Sequence, residues 1–291
     1  MRPLILLFIS LLIIPGVFAQ ENENTKKAER KARDRYLGLG SGFSYVKVRD
    51  ETTSPLLYKG PTIPAVFNYL VHSERVIKSL DVDFSFGFLH TNTELPWYNP
   101  VNTSYYISIR YNWLYNVRKF ANDKINWYLG PELNINGHFR VNYKYDNSAF
   151  TFDNYNGIGI ATRFELPFSY KAKQVKMWFI NFNRRDRDLR LSWQLSAPVL
   201  SFMIRPSYVT ITNFIDPDLQ TKITPDHTSG GLFIPFNLRS QTDLHYILHN
   251  RNEIRLSYVW NFFHHDPGYN KVQSAYHGIT LSLLYKLNPN Q

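Results

Sequence analysis

The sequence predicts an all-β fold, a transmembrane antiparallel β-barrel of about 12 strands, with roughly 10 to 14 compatible with the spacing. Three observations predict it. The first is alternation. Ile254, Leu256, Tyr258, Trp260 and Phe262 alternate with Glu253, Arg255, Ser257, Val259 and Asn261, and the same period of two returns from Tyr276 to Leu287. Period two marks a strand with one apolar and one polar face. The second is the aromatic content of the apolar face, in a chain of 291 residues that is 16% Phe, Trp and Tyr. A soluble sandwich core would alternate too, but it has no need of aromatic residues at both ends of its strands. The third is an export signal followed by no apolar run near the roughly 20 residues that a membrane helix requires.

Taken in order, residues 1–19 read as a signal peptide: Arg2 as the positive end, Leu4 to Ile14 as the apolar stretch, Pro15-Gly16 as the break, and small Val17 and Ala19 before the cleavage point. The chain has no cysteine, so closed strand pairing rather than disulfides has to staple it. Lys and Arg number 33 against 23 Asp and Glu, a formal net charge of +10. In an exported chain that balance points to anionic lipid surfaces or acidic partners, and away from nucleic acid. Residues 20–35 form a charge-dense, basic arm on the periplasmic side.

The barrel is expected over residues 36–287, with 288–291 as a tail. On its first strand Leu37, Leu39, Phe43 and Tyr45 oppose Gly38, Gly40, Gly42 and Ser44. Small inner residues there allow either sharp curvature or room in the lumen. Strands follow over Ile63–Val71, Leu80–Phe88, Tyr105–Trp113, Ile125–Ile135 and Ile158–Phe168, with Gly137–Asn154 read as a long polar loop. The middle is less regular. Val175–Phe182, Leu189–Leu195 and Val199–Thr212 are read as three strands, with a charged loop over Asn183–Asp188 and a turn at Ala197-Pro198. Leu232–Leu238 and the two segments that opened this account complete the count. An even number places both termini at one end.

If the apolar residues face lipid, those between them line the lumen. The charged ones on the regular strands are Asp81, Asp83, Arg110, Glu132, Arg163, Glu165, Arg190, Arg239, Asp243, Glu253 and Arg255. Mixed signs predict a network of ion pairs filling a narrow interior, with Glu253 and Arg255 as one pair, rather than a pore with one dominant charge. Trp113, Trp127 and Tyr285 fall at the periplasmic ends of their strands, and Phe88, Trp260 and Phe262 at the opposite ends, where aromatic girdles meet the two interfaces.

The last strand resembles the insertion signal of bacterial outer-membrane β-barrels: a glycine, alternating apolar residues and a near-terminal aromatic, here Gly278, Leu281, Leu283 and Tyr285. It departs from that pattern because Leu287 to Gln291 follow it. The resemblance spans Tyr36 to Leu287 and assigns no specific family. It implies residence in the outer membrane, contact with outer-membrane lipids and lipopolysaccharide, and delivery by the barrel-assembly machinery.

Chemistry is sparse. His264-His265-Asp266 carries metal-ligand residue types, but neighbouring ligands without a well-spaced third partner are a weak signal, and no metal or cofactor is expected. His277 with Ser274 or Ser282 has the residue types of a hydrolase, yet alternation puts His277 and Ser282 on opposite faces. Loops rich in Asn, Tyr, Asp and Pro, and basic turn residues such as Arg75, Lys119 and Lys124, offer surfaces for an envelope or periplasmic protein partner. The expected role is a non-catalytic, occluded or narrow barrel serving as a structural or accessory envelope component. A small-solute channel is the alternative, and a lipid-modifying enzyme stands behind both.

Overall fold

The computed structural model describes residues 33–92, 100–144, 149–171, 173–177, 180–184, 186–205, 228–268 and 270–288. The expected signal peptide, residues 20–32 of the arm and residues 289–291 of the tail lie outside them, as do seven internal segments. Among the described residues thirteen strands occur in chain order: β1 (Asp34–Asp50), β2 (Ser54–His72), β3 (Val76–His90), β4 (Val101–Phe120), β5 (Ile125–Asn142), β6 (Ala149–Tyr170), β7 (Lys173–Met177), β8 (Ile180–Arg184), β9 (Arg187–Ile204), β10 (Thr228–Leu232), β11 (Phe236–Ile247), β12 (Glu253–His265) and β13 (Val272–Lys286).

Ten of them close a barrel. The wall runs β9-β11-β12-β13-β1-β2-β3-β4-β5-β6, and β6 pairs back onto β9. Every neighbouring pair is antiparallel, and β1 meets β13 from Tyr36↔Lys286 to Asp50↔Val272, so both ends of the wall lie at one rim. Closure gives each of the ten wall strands a neighbour on both sides, which a lipid-embedded sheet requires because the bilayer core offers no hydrogen bonds. β10 runs along the outer half of β9, where Leu232 pairs with Leu200, and continues the line of β11 after a break at Phe233–Pro235. β7 and β8 form a separate two-stranded hairpin at the terminal rim.

The wall therefore has ten strands rather than about 12, and two local readings account for the difference. The segment around Val175–Phe182 folds back on itself as β7 and β8 instead of crossing. Ala197-Pro198, expected as a turn, sits inside the single strand β9. Proline is admitted there because the register slips at that point: Gly159 faces Pro198, but Ile158 faces Leu200, leaving Val199 as an extra residue. A bulge is where a ladder can accommodate a residue without an N–H. The expected long loop over Gly137–Asn154 is mostly wall as well, since β5 runs to Asn142 and β6 starts at Ala149.

Barrel strands reach 22 residues in β6, about twice the 9–11 that span a bilayer, so the wall projects beyond the membrane. Connections at the terminal rim are mostly tight, such as residues 73–75 and 121–124, while residues 91–100 and 205–227 connect strands at the opposite rim. Short turns mark the periplasmic side and longer loops the outside. The outward face carries Leu39 at 67% exposure, Ile63 at 64% and Leu281 at 58%, a band that only lipid would cover.

Candidate functional site

What this barrel can do depends on its lumen, and the lumen is filled at three levels. Nearest the terminal rim, Tyr36, Leu70, Ile77, Leu114, Tyr128, Ala161 and Leu284 turn inward from seven strands and pack as one apolar layer. An apolar layer of that kind is a barrier to hydrated ions.

Beside and above it lies a buried polar network, with Glu253 the register partner of Leu284, His72 of Ile77 and Arg163 of Tyr128. His72 Nε2 is 2.9 Å from Glu165 Oε2, and Arg163 holds the other oxygen of Glu165 at 3.0 Å. Arg190 Nη2 donates to Glu253 Oε2 at 2.8 Å, and His245 Nδ1 lies 2.6 Å from the same oxygen. Glu253 and Arg255, expected to pair, do not. They are two residues apart on one strand, and Glu253 is taken by Arg190 and His245 while Arg255 donates to Asn68 across the lumen. Asp83 binds Arg110, with Arg239 at 3.7 Å, and Asp81 accepts from Asn68. Asp243 accepts from Gln241 at 2.9 Å and faces Arg163 at 3.7 Å. Glu132 is buried on β5. Of these eleven charged residues ten are buried, and Asp83 is 15% exposed. A chamber of about 50 Å³ remains beside Asp81, Asp83, Arg110, Arg239 and Arg255, room for a few water molecules at most.

The third level closes the outer end, and sequence reasoning missed it. Asp50 on β1 accepts from Arg140 Nε on β5 at 2.9 Å and from Arg205, just past β9. Asp153 on β6 accepts from the same two arginines. Thr151 Oγ1 and the Thr52 N–H add bonds to Asp50 at 3.0 and 3.1 Å. Two carboxylates and two guanidiniums thus form a closed, charge-balanced box. In the ring of ten strands β1 stands opposite β6, so the box spans the lumen. Beneath it Tyr155 stacks near Phe263 with ring centroids 4.7 Å apart, and Met203 and Val272 complete an apolar cluster.

On the outer surface the expected girdle residues occupy both rims. Trp127 stacks on Phe164 at 6.1 Å, and Phe164 on Trp193 at 6.0 Å. The indole N–H of Trp127 donates to Thr162 Oγ1 at 2.8 Å, and that of Trp193 to Ser240 Oγ at 3.0 Å. Trp113 lies under the Lys78 ammonium, 4.1 Å from its ring centroid, and Tyr285 faces outward near the end of β13. Towards the other rim Phe86 and Phe88 meet edge to face at 5.1 Å, and Trp260 stacks on Phe262 at 6.5 Å. Of the insertion segment, Leu281 and Leu283 face outward beside Tyr285, and Gly278 turns inward.

The residues with metal or hydrolase chemistry do not assemble. His264 bonds Gln273 at 2.9 Å, while Asp266 faces Lys271 at 3.3 Å and accepts the Gly268 N–H at 3.1 Å. Those two contacts hold the Asp266 carboxyl below its usual range, the Gly268 N–H contributing most. His277 faces outward to the Tyr258 hydroxyl at 2.9 Å, whereas Ser282 is buried inside. One serine–histidine contact that spacing did not reveal is present: Ser229 Oγ lies 3.1 Å from His265 Nε2. The far nitrogen of that ring, Nδ1, is buried with no partner, so among the described residues no carboxylate orients the imidazole as a general base.

No family model matches the chain, and no curated protein does. Among solved structures it is similar to the outer membrane protease OmpT from Escherichia coli, with 10% identity, a TM-score of 0.45, and 88% of this chain and 96% of that one covered. It is also similar to the transport unit of the autotransporter AIDA-I from Escherichia coli, with 10% identity, a TM-score of 0.42, and 96% of each chain covered. The translocator domain of the autotransporter NalP from Neisseria meningitidis matches at 7% identity and a TM-score of 0.38, covering 89% of this chain and 95% of that one. At such identities no activity passes from them to this chain. The closed wall, its outward apolar band and its aromatic residues towards both rims are those of a transmembrane β-barrel.

Proposed function

We propose that this protein is a non-catalytic outer-membrane barrel with an occluded lumen, serving as a structural or accessory component of the envelope. The observation that carries the reading is the Asp50–Arg140–Asp153–Arg205 box bridging opposite walls. Diffusion channels keep a constriction lined by one sign of charge and open to water. Here the charges neutralise one another, and an apolar layer closes the other end.

The small-solute channel drew support from the inner-face glycines of β1 and β6, and that support falls away. A Cβ on Gly42 would meet the Ile279 carbonyl oxygen, and one on Gly159 the Ala197 carbonyl oxygen. These glycines permit close approach of neighbouring strands and do not widen the lumen. Among the described residues the Ser229–His265 contact comes without a third group.

The test is conductance of the refolded mature protein in a planar bilayer, with folding verified by heat-modifiable gel mobility. The expected result is no discrete current steps. Stable, reproducible steps from the folded wild type would overturn occlusion and return the channel reading.

A further inference from the structure

The outer surface of β1–β3 carries a feature that neither folding nor occlusion explains. Lys47 on β1 and Lys59 on β2 are register partners, and Lys59 in turn faces His90 on β3. All three side chains are exposed, and Arg49 lies one outward position beyond Lys47. Their outward direction is fixed by what lies between them: Val48, Tyr58 and Leu89 turn inward and pack together.

Like charges directly opposite each other on neighbouring strands destabilise a sheet, so this row needs a counter-charge. The nearby described carboxylates do not supply it. Asp50 points inward to Arg140 and Arg205, Asp266 faces Lys271, and Glu51 accepts the Lys271 backbone N–H at 3.3 Å. Among the described residues Lys47, Arg49 and Lys59 form no ion pair.

Height is the second observation. On β1 the outward residues Leu37, Leu39, Phe43 and Tyr45 precede Lys47, and on β2 Pro61, Ile63 and Phe67 lie between Lys59 and the terminal rim. Phe88 lies directly below His90 on β3. The row therefore begins where the apolar band ends, on the long-loop side, at the level of the headgroups of the outer leaflet.

We propose that Lys47, Arg49 and Lys59, with the His90 imidazole, form a binding site on the outside of the wall for the phosphate groups of a phosphorylated lipid in that leaflet. Ammonium and guanidinium groups on adjacent strands would grip phosphate oxygens while Phe43, Ile63 and Phe88 pack the acyl chains below. The site rests on the reading of the chain as an outer-membrane barrel and is independent of whether the lumen conducts.

The test uses the refolded full mature chain in detergent micelles, titrated with bisphosphorylated lipid A and with its fully dephosphorylated form, and followed by native mass spectrometry. Wild-type protein should bind the phosphorylated lipid, and the variant Lys47→Gln/Arg49→Gln/Lys59→Gln should bind at least about tenfold more weakly, from roughly 1 kcal/mol per surface cation. Lys119→Gln/Lys124→Gln at the opposite rim should leave binding unchanged. Lys59→Gln alone, expected to weaken binding about fivefold, carries the test should the triple variant not fold. Millimolar inorganic phosphate should not displace the lipid, and displacement would show a free-phosphate site instead. Equal binding by the triple variant, equal binding of the dephosphorylated lipid, or an equal loss in the opposite-rim variant would overturn the site. A wild-type chain that refolds without a heat-modifiable barrel would sink the outer-membrane reading itself.

Discussion

Asp50 and Arg140 stand four strands apart in the ring, yet the Arg140 Nε–H donates to Asp50 Oδ2 over 2.9 Å, with both side chains almost wholly buried. Removing one partner of such a pair leaves the other charge buried without compensation, which costs about 3–5 kcal/mol. Asp50→Ala should therefore lower the urea midpoint of the folded barrel by a corresponding amount. The double variant Asp50→Ala/Arg140→Ala should be less destabilised than the sum of the single changes, as read from unfolding curves in lipid vesicles. Additive effects would contradict a direct bridge.

The lower network makes a sharper discrimination. Glu253 lies at 2.8 Å from Arg190, while Arg255, on the same strand and face, bonds Asn68. A double-mutant cycle on Glu253→Gln and Arg190→Met should return a coupling of about 1–3 kcal/mol. The same cycle on Glu253→Gln and Arg255→Met should be additive to within about 0.5 kcal/mol. Reversed results would mean the guanidiniums exchange partners in the membrane.

Period-two alternation made the wall legible from sequence, because lipid outside and side chains inside impose opposite polarity on successive residues. The same rule placed the charged residues from Asp81 to Arg255 on the inner face. It could not pair them. Partners such as His72 and Glu165 are set by ring closure, which joins strands far apart in the chain. Asp50, Arg140, Asp153 and Arg205 escaped notice for a different reason. They lie near the outer rim, where Arg140 and Asp153 fall in a stretch rich in Asn, Asp and Tyr that reads as a loop, although Phe139, Phe150 and Phe152 meet on its outer face. Pro198 misled in the same region, since a bulge inside a strand and a turn between strands share the same residue type.

Close strand packing predicts a steep penalty at one small residue. A side chain at Gly42 would collide with the backbone of β13 at Ile279 and Thr280. Gly42→Val should cost about 1–3 kcal/mol and reduce the yield of heat-modifiable barrel. Gly268→Ser, in an outer loop with no atom within 4 Å of its Cβ position, should cost about 1 kcal/mol, for its φ of +90° alone. Equal losses at the two sites would argue against the close approach.

The girdle indoles make a milder prediction. Thr162→Val leaves the Trp127 N–H without its acceptor while preserving shape. If that ring sits where water is scarce, stability should fall by about 1–3 kcal/mol, with a shift in tryptophan emission on the folded barrel. An unchanged midpoint would place Trp127 among hydrated headgroups.

The seam between β1 and β13 has a consequence for how this protein is made. Tyr36 pairs with Lys286 and Asp50 with Val272, so the first strand to be made waits for the last before its outer edge is satisfied. Throughout that interval the chain carries two unpaired strand edges and a half-exposed apolar face, the combination that templates aggregation. The barrel has to be held open, edges shielded, until its carboxyl-terminal strand arrives to complete the ring.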